Sequence, residues 1–118
     1  SKRKAADFYP TPPEAVWALL DACLELGALR ESRWLEPCVG DGAIIRAVNA
    51  YAMNRWNDKA PIWDTCDIRP ECAEQVVLLK NVDGKRHLTG SFLECADSFI
   101  NLAPKVILTN PPFTYAQE

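Results

Sequence analysis

The segment Arg33-Trp34-Leu35-Glu36-Pro37-Cys38-Val39-Gly40-Asp41-Gly42 constrains the fold more than any other part of the chain. Trp34 and Leu35 read as a short strand that ends at an acid and a proline. A loop with glycines at 40 and 42 follows, and then Ile44, Ile45, Val48 and Tyr51 recur near helical spacing. Strand, glycine loop and helix in this order form the first turn of an open α/β sheet, where ligands sit at the carboxyl ends of the strands. Glycine suits such a loop because a Cβ would hold a ligand away from the backbone. The loop lacks the three glycines of the dinucleotide fingerprint and the Gly-Lys-Ser/Thr ending of a phosphate loop. Glu36, ahead of the glycines, disfavours a pyrophosphate and favours a cationic amine. Taken alone, the turn fits equally well a helix merely packed on a sheet.

The rest of the chain alternates in the same way. Thr11-Pro12-Pro13-Glu14 reads as a capping box, with Pro12 at the first helical position. Val16, Leu19, Leu20, Cys23 and Leu26 then share one helix face, and Gly27 ends it. The loop helix is expected over 43–53 and a connection over 54–61. A second strand over 62–66 has Asp67 at its end, somewhat further from the loop than the roughly 20 residues common in nucleotide folds. An acid there accepts hydrogen bonds from ribose hydroxyls, or caps the helix that begins at Pro70. That helix is expected over 70–79, a turn over 81–84 and a strand over 88–93. A short helix over 95–103 stops before Pro104, and Val106-Ile107-Leu108-Thr109 is the fourth strand. These elements specify a Rossmann-like α/β fold, an open and mostly parallel sheet with helices on both faces and strand order 3-2-1-4.

Asn110-Pro111-Pro112-Phe113 closes the fourth strand. Together with Glu36-Pro37-Cys38-Val39-Gly40-Asp41-Gly42 it resembles the S-adenosylmethionine (SAM)-dependent amino-methyltransferases, and most of all the DNA N6-adenine methyltransferases. The resemblance covers most of the chain. It implies that Phe8-Tyr9-Pro10-Thr11-Pro12 lies beside the methionine part of SAM, with an aromatic face toward the sulfonium. It also implies that Glu36, Pro37, Gly40 and Gly42 form the cofactor loop, and that Asp67 holds the ribose. The family often has an aspartate before an aromatic at the adenine of SAM. Here Ser91 and Phe92 stand in that place, so the acid is missing. In the implied chemistry Asn110 and the backbone carbonyl of Pro111 accept the two N–H groups of an adenine amine. Pro112 keeps that loop rigid, and Phe113 stacks on a base swung out of its duplex.

Composition bounds this reading. A chain of 118 residues makes one domain with a real core; the resemblance implies that it is the N-terminal, SAM-binding part of a methyltransferase, without a target-recognition region. The net charge of −3 does not mark a free-standing DNA binder. DNA contact is therefore expected mostly from regions outside this chain, and the fragment alone is expected to be a poor enzyme. Lys2-Arg3-Lys4 is the lone basic cluster. The cysteines at 23, 38, 66, 72 and 95 form no Cys-x-x-Cys pair, and the single His87 speaks against a zinc site. Reduced thiols, no signal peptide and no membrane-spanning run point to a cytoplasmic protein. Three alternatives stay open. Two change the acceptor, to a protein glutamine amide or a ribosomal RNA guanine, and the third is a non-catalytic SAM-binding or interaction module.

Overall fold

In the computed structural model, which describes residues 10–111, nine elements alternate along the chain. They are α1 (Pro13–Ala22), α2 (Leu24–Ala28), β1 (Arg33–Glu36), α3 (Ala43–Arg55), β2 (Ile62–Asp67), α4 (Cys72–Val76), β3 (Val82–Thr89), α5 (Phe92–Ile100) and β4 (Val106–Ile107). The four strands form one sheet in the order β3-β2-β1-β4. Every pairing is parallel, so the sheet has the expected order and is wholly rather than mostly parallel.

Side-chain alternation divides the sheet into two faces. Trp34 pairs in register with Trp63, and both are fully buried in a cluster with Val16 and Leu20 of α1, Ile44, Ile45 and Val48 of α3, and Cys72 and Val76 of α4. Leu35 and Cys66 point the other way, onto Phe99 of α5. Helices thus cover both faces, and the handedness of parallel crossovers explains their division. The chain steps from β1 to β2 to β3 in one direction, which puts α3 and α4 on one face. It then returns past β1 to reach β4, which puts α5 on the opposite face.

Aromatic contacts bind the first face. Trp17 meets Tyr51 at 5.2 Å, Tyr51 meets Trp56 at 5.1 Å, and Trp34 lies 6.2 Å from Trp56 and 5.6 Å from Trp63, all edge to face. Such geometry adds about 0.5–1.5 kcal/mol per pair to the area buried. Trp17 Nε1 also donates to the Ala47 carbonyl at 3.1 Å, which docks α1 on α3. On the second face Arg33 bonds Asp64 at 2.7 Å and Asp83 at 3.0 Å. Burial pushes the fully enclosed Asp64 carboxyl upward, while Arg33 and Arg86 draw it down.

Five local expectations are corrected. The Thr11–Glu14 capping box does not form: α1 starts at Pro13 with Pro12 as its N-cap, and no side chain caps it. A residue before proline is driven out of the helical region, and Pro12, ahead of Pro13, sits extended at φ −61°, ψ 136°. The first helix breaks at Cys23, leaving Leu19 exposed, and Gly27 lies inside α2, where its Cα faces the Trp56 indole. The helix expected over 70–79 shrinks to the five residues of α4. Asp83-Gly84, taken as a turn ahead of a strand, lies within β3. Trp63 pairs with Val82 and Thr65 with His87, so the extra residues of β3 bulge between these pairs. That strand ends at Thr89, and α5 starts three residues earlier than expected because Ser91 and Glu94 form a reciprocal capping box.

The loop glycine at 42 has a strict geometric requirement. Its φ is +86°, and an added Cβ would lie 2.2 Å from Leu79 Cδ1. Gly42→Ala is expected to cost about 1–3 kcal/mol in urea denaturation. Leu79→Ala in the same chain should recover the steric part of that loss and leave the backbone part.

Candidate functional site

In an open parallel sheet the ligand crevice lies where strand order reverses. Here that point falls between the carboxyl ends of β1 and β4. Glu36 is the last residue of β1, and Asn110 follows β4 across the same gap. A cleft opens between them, lined by Thr11, Glu36, Cys38, Val39, Ala43, Ile44 and Asn110. Its empty space is ≈ 210 Å³, a figure that includes open solvent, and the part it encloses has room for about one water. Phe8, Tyr9, Pro112 and Phe113, all expected at the site, lie outside the described residues.

The glycine loop is strapped down from both ends. Val39 N–H donates to the Cys66 carbonyl at 2.9 Å, and Gly42 N–H closes a turn onto the Val39 carbonyl at 2.9 Å. Gly40 takes φ +58°, and its N–H donates to Asp67 Oδ2 at 2.7 Å. Asp41 Oδ1 receives the Ala43 N–H at the start of α3.

Two acids that contact this loop are shifted in opposite directions. Burial pushes Glu36 up to about 7, against the Thr109 hydroxyl and the Cys38 N–H, which favour its charged form; Asp67 adds repulsion. Its Oε2 accepts the Cys38 N–H at 3.1 Å. Burial also raises Asp67, but the Arg69 guanidinium and the N–H groups of Arg69 and Gly40 outweigh it and hold the carboxyl low. Asp67 Oδ1 takes both the Arg69 N–H at 2.9 Å and Arg69 Nε at 3.1 Å. Two carboxyls whose environments push them apart can hold different charges at one pH.

The expected site residues therefore separate. Thr11, Glu36 and Asn110 come together in the cleft, and Asn110 Nδ2 donates to Thr11 Oγ1 at 3.1 Å. Pro37 is buried behind it, and Pro111 is exposed beside it in sequence. Gly40 and Gly42 shape the loop, although the Gly42 Cα faces Leu79 rather than the cleft. Asp67 stands at the end of β2 as expected, but its carboxylate is 4% exposed and bonded to Gly40 and Arg69. Ser91 caps α5 by accepting the Glu94 N–H. Phe92 stacks on Phe99 at 6.4 Å, within the second core cluster. Trp34, in the strand ahead of the loop, is fully buried and donates to the Leu29 carbonyl at 2.9 Å.

Sequence reasoning missed Cys38, Val39, Ala43 and Ile44 as lining residues, although all four lie within or directly after the segment it singled out. It also missed Arg69. A cation two residues after the strand-end acid was the available signal.

Comparison with known proteins adds no assignment: no family model matches the chain, and neither the curated proteins nor the solved structures give a significant match.

The raised Glu36 carboxyl has a stability consequence whose sign is fixed by linkage. The folded chain holds the Glu36 proton up to about 7, whereas the unfolded chain releases it near an ordinary glutamate value of about 4.3. Stability from this group is therefore greatest below that lower value. It falls as pH rises toward 7 and is level above it, a loss on the order of 3 kcal/mol. Chemical denaturation of Glu36→Gln at pH 5 and pH 8 should show that much less fall than the parent chain.

Proposed function

We propose that this domain transfers the methyl group of SAM to the exocyclic N6 of adenine in DNA. The observation that supports this most is the meeting of Glu36 and Asn110 across the β1–β4 gap, two residues far apart in the chain that the strand order alone makes neighbours. SAM supplies a methyl group already activated on a sulfonium, so the protein's task is placement and electrostatics.

The residues present fit such a cofactor in part. A carboxyl lining the cleft suits a cationic amine or sulfonium, and Glu36 changes charge within the physiological range, at about 7. Asp67 fits the ribose by its place at the end of the second strand. Its oxygens are engaged by Gly40 and Arg69, so a diol would have to displace the guanidinium. On the acceptor side, an aromatic amine is a weak nucleophile because its lone pair is delocalised into the ring. Asn110 Oδ1 and the Pro111 carbonyl would each accept one N–H and draw the nitrogen toward tetrahedral geometry. SAM held in the cleft would supply its methyl group to that nitrogen, leaving as the neutral thioether, while one amino proton would pass to solvent. Proline at 111 lacks an N–H, so it offers the amine an acceptor without a competing donor. Phe113 would stack on the extruded base. DNA is the macromolecular partner in this reading and the cytoplasm its compartment. Among the described residues no helix is long and apolar enough to cross a membrane.

Asn110-Pro111-Pro112-Phe113 also resembles the Asn-Pro-Pro-aromatic signature of enzymes that methylate glutamine amides or ribosomal RNA guanine. A panel of DNA, ribosomal RNA and release-factor acceptors with methyl-labelled SAM separates these. Label in N6-methyladenine is expected, with a loss of at least about a hundredfold in Asn110→Ala, the scale seen when a transition-state hydrogen-bond partner is removed. Label in protein or ribosomal RNA alone would contradict the DNA assignment.

A further inference from the structure

A carboxamide has two chemically opposite ends, a donor nitrogen and an acceptor oxygen, on a group that can turn over. In the proposed reaction only one orientation of Asn110 is useful, because an N–H presented to the adenine amine would set donor against donor. Something must therefore hold the amide the right way round.

We propose that Thr11 is the positioning residue for Asn110. The Thr11 hydroxyl accepts from Asn110 Nδ2 at 3.1 Å, which pins the nitrogen to the α1 side and turns Oδ1 away from it. Both residues line the same cleft as Glu36. The hydroxyl is spared for this work because it caps nothing: the N-cap of α1 is Pro12, with no side-chain cap. Thr11 is itself held. As a residue before proline it is confined to extended backbone, and α1 behind it is docked on α3 through Trp17 and the Ala47 carbonyl. The Tyr51 hydroxyl adds a bond to Asp21 near the far end of α1, at 2.7 Å. The packing of one helix against another thereby sets the direction of a side chain that follows the last strand.

The consequence for catalysis rests on the methyltransferase reading, whereas the orientation itself does not. Two readouts on the same chain keep them apart. In nitrogen-15 spectra the Asn110 side-chain NH₂ pair is identified by its disappearance in Asn110→Asp. Thr11→Val, which keeps the shape and removes the hydroxyl, should shift that pair away from its parent position. It should also speed solvent exchange of its protons about tenfold, the equivalent of one ordinary hydrogen bond. Thr11→Ser should keep the parent spectrum. In the kinetic arm, Thr11→Val should lower kcat for adenine about tenfold, and Thr11→Ser should restore it. An unmoved Asn110 pair in Thr11→Val overturns the proposal, whatever happens to kcat. A pair that responds while the parent chain methylates no acceptor leaves the positioning role standing and removes the methyltransferase reading.

Discussion

The site depends on a buried carboxylate, that of Asp67. It ends β2 and reaches across to the neighbouring loop, where it accepts the Gly40 N–H. A loop with two positive-φ glycines has little to hold it in one shape. The carboxylate, together with the Val39 bond to the Cys66 carbonyl, fixes that shape to the end of β2. Burying a charge is costly unless it is bonded, and Asp67 is bonded on both oxygens by Gly40 and Arg69. The loop in turn places Glu36 and Cys38 on one wall of the cleft and starts α3 on the other.

Glu36 has the contrary environment. It is as buried as Asp67 but has no cation bonded to it, so burial raises it to about 7. One carboxylate is committed to structure, and the other is buried beside the strand-order reversal with no cation to hold its charge. That division suits a binding crevice, where the scaffold must be rigid and the group facing a ligand must be able to change charge. Arg69 belongs to both functions. Its guanidinium keeps Asp67 charged, and it stands where a sugar diol would have to compete.

Much of this was legible in the sequence because it follows from period and topology. The runs at 34–35, 62–66 and 106–109 and the helical spacing after Gly42 gave the strands, the loop helix and the order β3-β2-β1-β4, with β4 itself limited to Val106–Ile107. What was not legible came from neighbours remote in sequence. Asp83-Gly84 has the local chemistry of a turn, but pairing with β2 and the Arg33–Asp83 bond draw it into a bulged strand. Ser91 carried a capping box with Glu94 that a ligand-centred reading passed over. Thr11 and Glu14 had the residues for such a box, and the tandem prolines between them forbade the backbone. At the cleft, the pairing of Glu36 with Asn110 followed from strand order. The bond from Asn110 to Thr11 depends on how α1 docks, which no local pattern records.

The central claim is that the crevice between β1 and β4 is a SAM site. Titrating SAM into nitrogen-15-labelled protein tests it most directly, because each backbone amide reports its own surroundings. Saturable shifts are predicted at Cys38, Gly40, Ala43 and Asn110, together with a change at Arg69 as its hold on Asp67 loosens. Amides at the opposite ends of the strands, such as Arg33 and Ile62, should stay in place. A folded chain in which SAM moves none of the cleft residues, or moves only residues elsewhere, would contradict the account.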